Sequence, residues 1–232
     1  MTTIIAEIGV NWDGNFNLVK EIMSRVKEAG CDAVKFQAFD EKIVQSHPQK
    51  NRLLKSSISK NNIETIHELA KKIGIEWFCT PMYVGAIDLL EPYVSRYKIR
   101  EVDGRSFLEG KSSELIDLLL KTGKDVIVST QQSPKNNKLF NEPKIQWLYC
   151  VPKYPCDLED LDFTTFSDFD GYSNHCPHII APLTSVVLGG KIVEFHITSN
   201  KTMDFIDNNI SFDYEQMNVL IKLIRLAERI KK

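Results

Sequence analysis

Short apolar runs recur along the chain, and most are separated by a stretch long enough for one helix. Residues 3–8, 33–37, 75–79, 96–99, 125–129, 145–150, 169–172 and 191–196 are the runs, rich in Ile, Val, Phe, Tyr and Trp. Near-continuous runs of this length read as strands buried on both faces, the pattern of a parallel sheet covered by helices. Between them the spacing changes to about 3.6 residues. Leu18, Val19, Ile22, Met23 and Val26 predict a helix stopped by Gly30, and Ile63, Ile66, Leu69, Ala70 and Ile73 predict another stopped by Gly74. Further helices are predicted over 83–92, over Leu115–Leu120 with Ser112 as cap and Gly123 as stop, over Pro177–Leu188 with Pro177 in the first turn, and over 213–230.

Three stretches break the alternation. Residues 39–61 are polar and contain Pro48, and read as a long loop with room for a short helix. Residues 134–143 and 157–168 have no helical period, so the helices after strands five and six are expected to be shortened or missing. Eight strands with mostly helical crossovers predict an α/β fold, a TIM (β/α)8 barrel forming a single domain over residues 1–232. The competing doubly wound sheet lacks support, because Gly9 and Gly14 do not form the glycine-rich dinucleotide turn after the first strand.

Composition narrows the function classes. The chain has 232 residues, 29 Lys and Arg against 31 Asp and Glu, and a formal net charge of −2. The basic residues are scattered, so neither a nucleic-acid face nor a polybasic membrane patch is expected. No apolar run approaches the roughly 20 residues of a membrane span. The first residues lack a basic leader and read as strand, so a cytoplasmic protein is expected. The five cysteines have no CxxC spacing and are expected to be reduced thiols.

The candidate chemistry lies at the strand ends, which form the active face of such a barrel. Glu7, Lys35 with Gln37, Thr80, Lys98, Ser129 with Thr130, Tyr154 just beyond Cys150, Ser173 with His175, and Glu194 with His196 are polar groups ending apolar runs. Unpaired buried charge costs several kcal/mol, so a mixed-sign cluster at one end would relieve that cost and build a site. Two lysines aimed at one mouth suit phosphate or carboxylate, with hydroxyls adding neutral donors. Two imidazoles on neighbouring strands, with carboxylates near, suit a divalent metal: Mn²⁺, Fe²⁺, Zn²⁺ or, less well, Mg²⁺. His47 and His67 are expected to be solvated, and His178 has no assigned role.

Ile4-Ile-Ala-Glu-Ile-Gly-Val-Asn11 with Asp13-Gly14, Ala33-Val-Lys-Phe-Gln37, Cys79-Thr-Pro81, Tyr97-Lys-Ile99, Val128-Ser-Thr130, Tyr154-Pro155, Gly171-Tyr-Ser-Asn-His175 and Glu194-Phe-His-Ile-Thr198 together resemble the sialic acid synthase family, including its pseudaminic and legionaminic members. The likeness runs in order from residue 4 to about residue 230. It implies condensation of phosphoenolpyruvate with an N-acetylmannosamine-type sugar, giving a nonulosonic acid and phosphate. It implies His175 and His196 as ligands of Mn²⁺ or a similar ion, and Glu7 beside the reacting centre. Lys35, Lys98, Thr80, Ser129 and Ser173 would cradle phosphate and carboxylate. Gln37, Tyr154, Glu194 and Asp207 would line the site, the last in a loop similar to one that meets the sugar.

The chain departs from the family at several points. Trp12 stands where the family has His. Arg100-Glu-Val102 replaces a small turn, so Glu101 occupies the place of a phosphate-binding serine. Val151-Pro152 replaces a polar pair, and Gln131 a glycine. The family's antifreeze-like C-terminal domain, which reaches into a partner's site, has no counterpart in the sequence, so the family's swapped dimer does not carry over, and a homodimer and a complex with a separate antifreeze-like domain both stay open. Two alternatives stay open: a metal-dependent sugar-acid aldolase or lyase, and a non-catalytic barrel partnering a complete synthase.

Overall fold

A computed structural model describes residues 1–111 and 113–230. Eight parallel strands close in sequential order, β1 back to β8, into the expected barrel. They are β1 (Thr3–Glu7), β2 (Ala33–Ala38), β3 (Glu76–Pro81), β4 (Arg96–Ile99), β5 (Asp125–Thr130), β6 (Ile145–Tyr149), β7 (Gly171–Asn174) and β8 (Ile192–His196). Glu7 registers with both Lys35 of β2 and His196 of β8, which closes the ring.

The outer layer is made by helices that bury one stripe. Helix α1 (Phe16–Ala29) is capped by the Asn15 side chain and buries Val19, Ile22, Met23 and Val26. It ends at Gly30, whose φ of 97° an L-side chain adopts only with strain. Short helices α2 (Glu41–Val44) and α3 (Lys50–Ser56) occupy the excursion read as loop. Then follow α4 (Ile63–Ile73), α5 (Gly85–Leu90), α6 (Glu101–Leu108), α7 (Glu114–Lys121), α8 (Ile180–Val187) and α9 (Tyr214–Ala227). A capping box between Asp213 and Gln216 starts α9. Among the described residues no helix is long and apolar enough to cross a membrane.

Several expectations are corrected. Ser112, the expected cap of α7, lies outside the described residues; Ser113 caps it by accepting the amide of Ile116. Pro177 and His178 precede α8 rather than starting it. His67 is half-buried and accepts a hydrogen bond from Trp77 Nε1 at 3.3 Å, so it is not a solvated side chain. Strand β7 begins at Gly171 rather than at residue 169, because Phe169 turns outward into an aromatic cluster and Asp170 accepts the amide of Trp147. Helix α6 was not anticipated. Gly104 in its middle argues against a helix locally, but its Cα rests so close to β5 that an added Cβ would lie 2.2 Å from the Ser129 carbonyl.

The shortened crossovers are as expected. Residues 131–144 form turns, and two 3₁₀ turns (Leu158–Asp160 and Phe166–Asp168) follow β6. In place of a helix, Phe163 packs on Tyr149, Tyr172 and Phe166, and Phe169 on Tyr149, with ring centroids 5.2–5.6 Å apart in these four pairs. Offset and edge contacts of this kind bury apolar area without a helical backbone.

Candidate active site

Strand alternation builds the site. Inward positions of successive strands carry Glu7, Lys35 and Gln37, Thr80, Lys98, Ser129, Ser173, Glu194 and His196, and the barrel's C-terminal end holds a cavity of about 220 Å³. Lys35, Gln37, Thr80, Lys98, Ser129, Tyr154, Ser173, His175, Glu194, His196 and Asp207 all line it. Glu7 lies just behind the lining, fully buried against Lys35. Thr130 does not line the cavity. It is one residue out of phase with Ser129 and registers with Tyr149, which packs in the outer aromatic cluster. The same alternation would have found two missed residues. Arg100 follows Lys98, and Cys150 follows Leu148, and both line the cavity. Glu101 also lines it, with Val10, Leu53, Met82 and Ile206 as an apolar wall.

The floor is a chain of buried charges. Lys35 Nζ lies 2.6 Å from Glu7 Oε2, 3.5 Å from Glu194 Oε1 and 3.2 Å from Thr80 Oγ1. Lys98 Nζ lies 2.9 Å from Glu194 Oε1, and Ser173 Oγ donates to the same oxygen at 2.8 Å. Gln37 Nε2 donates to Glu7 Oε1 at 3.0 Å. Burial disfavours the charged form of Lys35, but Glu194 and Glu7 reverse this and hold its pKa above the ordinary lysine value. Burial likewise resists ionisation of Glu194, and Lys35 and Lys98 overcome it, holding that carboxyl well below the usual carboxylate range. For Lys98 burial wins: with one carboxylate near and Lys35 repelling, its pKa falls below the ordinary value.

The two histidines stand side by side, ring centroids 5.5 Å apart. His175 Nδ1 donates to the Val151 carbonyl at 2.9 Å, which leaves Nε2 with its lone pair. Burial holds the His175 pKa below its ordinary value, favouring neutral imidazole. Tyr154 covers its ring at 4.0 Å between centroids. His196 Nδ1 is buried without a hydrogen-bond partner, and Asp207 Oδ2 approaches it at 3.4 Å. Asp207 is placed by Asn11, whose buried side chain accepts the Asp207 amide and donates to Ile197 and Ser211. This pair of imidazoles is what could hold a divalent metal. Among the described residues no group of three or more His, Cys, Asp or Glu is arranged for one, so further ligands would be oxygens of water or substrate. Burial pushes the Cys150 thiol up to about 12, so it stays protonated near neutrality and packs as a small hydrophobe.

Two departures have structural explanations. Trp12 is fully buried, packs edge-on against Phe36 at 6.2 Å and donates Nε1 to the Ser56 carbonyl at 3.0 Å. It thereby fastens α3, whose Leu53 lines the cavity. Trp12→Ala is expected to cost about 3–5 kcal/mol in urea unfolding, the usual price of emptying an aromatic core position. A loss below about 1 kcal/mol would show that α3 does not depend on it. Val151 supplies its carbonyl, not its side chain, to orient His175. Glu101 is buried, 3.8 Å from Arg105 Nε, and burial raises its pKa.

Three more buried polar atoms without partners lie at this cavity, while Trp147 Nε1, Tyr172 OH and Asn208 Oδ1 lie away from it. Ser129 Oγ, Glu101 Oε1 and Glu194 Oε2 all belong to lining residues and make no hydrogen bond. Orphaned groups concentrated in one cavity mark a place for a polar ligand.

The chain is similar to several known proteins. An uncharacterized protein of Methanocaldococcus jannaschii is 33% identical, the match covering 99% of this chain and 72% of that one. The N,N'-diacetyllegionaminic acid synthase of Legionella pneumophila is 31% identical over 98% of this chain and 72% of its own length. Among solved structures, the N-acetylneuraminic acid synthetase of Leptospira borgpetersenii superposes with a TM-score of 0.86 at 24% identity, covering 98% of this chain and 84% of that one, a likeness of fold. The family model described as the NeuB family matches residues 22–232, and this chain belongs to that family.

Proposed function

We propose that this protein condenses phosphoenolpyruvate with the open-chain aldehyde of an N-acetylmannosamine-type sugar, giving a nonulosonic acid and phosphate. The observation that carries the reading is the buried Glu7–Lys35–Glu194–Lys98 network lying beside two imidazoles in one cavity. The synthase names of relatives from Legionella pneumophila and Homo sapiens support it.

In this reading Lys35 and Lys98 hold the anionic oxygens, Thr80 and Ser129 add neutral donors, and Ser173, whose hydroxyl is donated to Glu194, holds that carboxylate at the site. Carbon 3 of phosphoenolpyruvate bonds to the aldehyde carbon, and water adds at carbon 2. The bond from carbon 2 to the phosphate oxygen then breaks, leaving the 2-keto acid and free phosphate. Glu7, fixed by Gln37 and Lys35, orients that water and accepts its proton. Gln37, Tyr154, Glu194 and Asp207 contact the sugar. His175 and His196 would hold a divalent metal, with Mn²⁺ first and Mg²⁺, Fe²⁺ or Zn²⁺ as alternatives. The neutral, tautomer-fixed His175 and the orphaned Nδ1 of His196 fit such a pair. When bound, the ion supplies Lewis-acid polarisation of the aldehyde oxygen.

The test is phosphate release from phosphoenolpyruvate with N-acetylmannosamine, its 6-phosphate or 6-deoxy relatives. A chelator is expected to reduce release to background and Mn²⁺ to restore it. No release with any acylated hexosamine removes this reading. A metal-dependent sugar-acid aldolase is the second reading, favoured by the Glu101 carboxyl in the cavity. Pyruvate formation from a 2-keto sugar acid, without phosphoenolpyruvate turnover, would select it.

A further inference from the structure

Lys35 and Lys98 are held by carboxylates as buried as they are, so the floor is largely self-neutralised. Arg100 differs. Two residues beyond Lys98 and just past the end of β4, it is the N-cap residue of α6 and lines the cavity. Its Nε donates to Asp103 Oδ2 at 2.6 Å, and Nη1 rests 3.6 Å from the Met82 sulfur, a weak acceptor. The Arg100 and Asp103 side chains are 38% and 26% exposed, so their attraction is screened by water and readily exchanged. Ser129 Oγ, buried and without a partner, lines the same cavity. The two are held in fixed relation, because Gly104 of α6 packs directly on the Ser129 carbonyl. Glu101, also at the cavity, would repel an anion, and a guanidinium on the adjacent residue offsets that repulsion.

We propose that Arg100 is a specificity-determining residue for the phosphate group of phosphoenolpyruvate: its guanidinium exchanges Asp103 for phosphate oxygens beside the Ser129 hydroxyl. This rests on the function proposed above. A planar fork of donors suits a phosphate, and an exchangeable counter-ion keeps the arginine in place when the cavity is free.

The experiment compares wild type, Arg100→Gln, Arg100→Lys and Asp103→Asn by titration calorimetry with phosphoenolpyruvate, inorganic phosphate and pyruvate, together with steady-state kinetics. Thermal melting of each variant checks folding. Arg100→Gln is expected to raise the KM for phosphoenolpyruvate about 10- to 100-fold, as loss of a charge-assisted contact does, with kcat changing far less. Arg100→Lys recovers part of the loss. Inorganic phosphate weakens in parallel while pyruvate does not. Asp103→Asn, by removing the competitor, tightens phosphoenolpyruvate roughly two- to five-fold; a merely structural pair would give no tightening. Unchanged binding in Arg100→Gln, an effect on pyruvate instead of phosphate, or weaker binding in Asp103→Asn overturns the proposal. Arg100-dependent phosphate binding without turnover would remove the synthase function and keep the anion site, whereas a wild type that binds neither phosphoenolpyruvate nor phosphate would remove both.

Discussion

Glu194→Gln is expected to lose about 3–5 kcal/mol of stability at neutral pH and roughly 10²- to 10³-fold in turnover. One carboxylate oxygen meets Lys98 at 2.9 Å, Lys35 at 3.5 Å and Ser173 at 2.8 Å. Lys35 keeps Glu7 when Glu194 is neutralised, but Lys98 loses the one carboxylate paired with it among the described residues and is left as an uncompensated buried cation. Its already depressed pKa falls further, and the ammonium that would hold an anionic substrate is lost. The pH dependence follows from the direction of the Glu194 shift. Its folded carboxyl titrates well below the ordinary carboxylate range, so its contribution is complete above that range and disappears as pH falls through the folded value. Urea unfolding of wild type and variant should therefore differ most near neutrality and converge in strong acid. A gap that is the same at every pH, or absent at pH 7, would refute this account of the network.

Gly171→Ala is expected to lower stability by at least about 3 kcal/mol, at the upper end of overpacking costs. The obstruction is backbone, not a flexible side chain. An added Cβ would sit 2.0 Å from the Ile192 carbonyl oxygen and 2.7 Å from its carbon. Strand β7 would have to move from β8 at the seam where Gly171 registers with Ile192. For a chain of this length that corresponds to a melting temperature about 6–12 °C lower. These two strands carry Ser173, Glu194 and His196, and β7 leads into His175, so the turnover proposed for this cavity should fall with stability. Melting within about 2 °C of wild type would show that the seam yields at little cost.

Strand positions were readable in the sequence for a physical reason. A strand buried on both faces of a barrel must be apolar on both, so β2, β4, β5 and β8 announce themselves, and any ionisable group inside them stands out. Glu7, Lys35, Lys98 and Glu194 are conspicuous because their burial demands partners. That logic predicts a cluster before any contact is known. It also assigns inward and outward faces, and stricter use of it would have set Thr130 aside and brought in Arg100 and Cys150. Arg100 is harder to read, because it lies just past the strand in a turn, where an arginine usually reaches solvent.

Other features depend on neighbours far away in the chain. Helix α6 exists despite Gly104 because the helix must approach the Ser129 carbonyl, a contact between β5 and a residue more than twenty positions earlier. Phe169 lies outside β7 in an aromatic cluster that joins the β6–β7 connection to Tyr149 of β6 and Tyr172 of β7. Trp12 holds α3, and Asn11 holds the Asp207 loop, through contacts spanning 44 and 196 residues. Local composition and alternation thus settled the barrel, its buried charges and the end at which they gather, because burial constrains each strand one residue at a time. Which carboxylate pairs with which lysine, which nitrogen of His175 is free, and which cation is left with an exchangeable partner were decided by packing between distant segments, because distances of 3–4 Å separate a held charge from an available one.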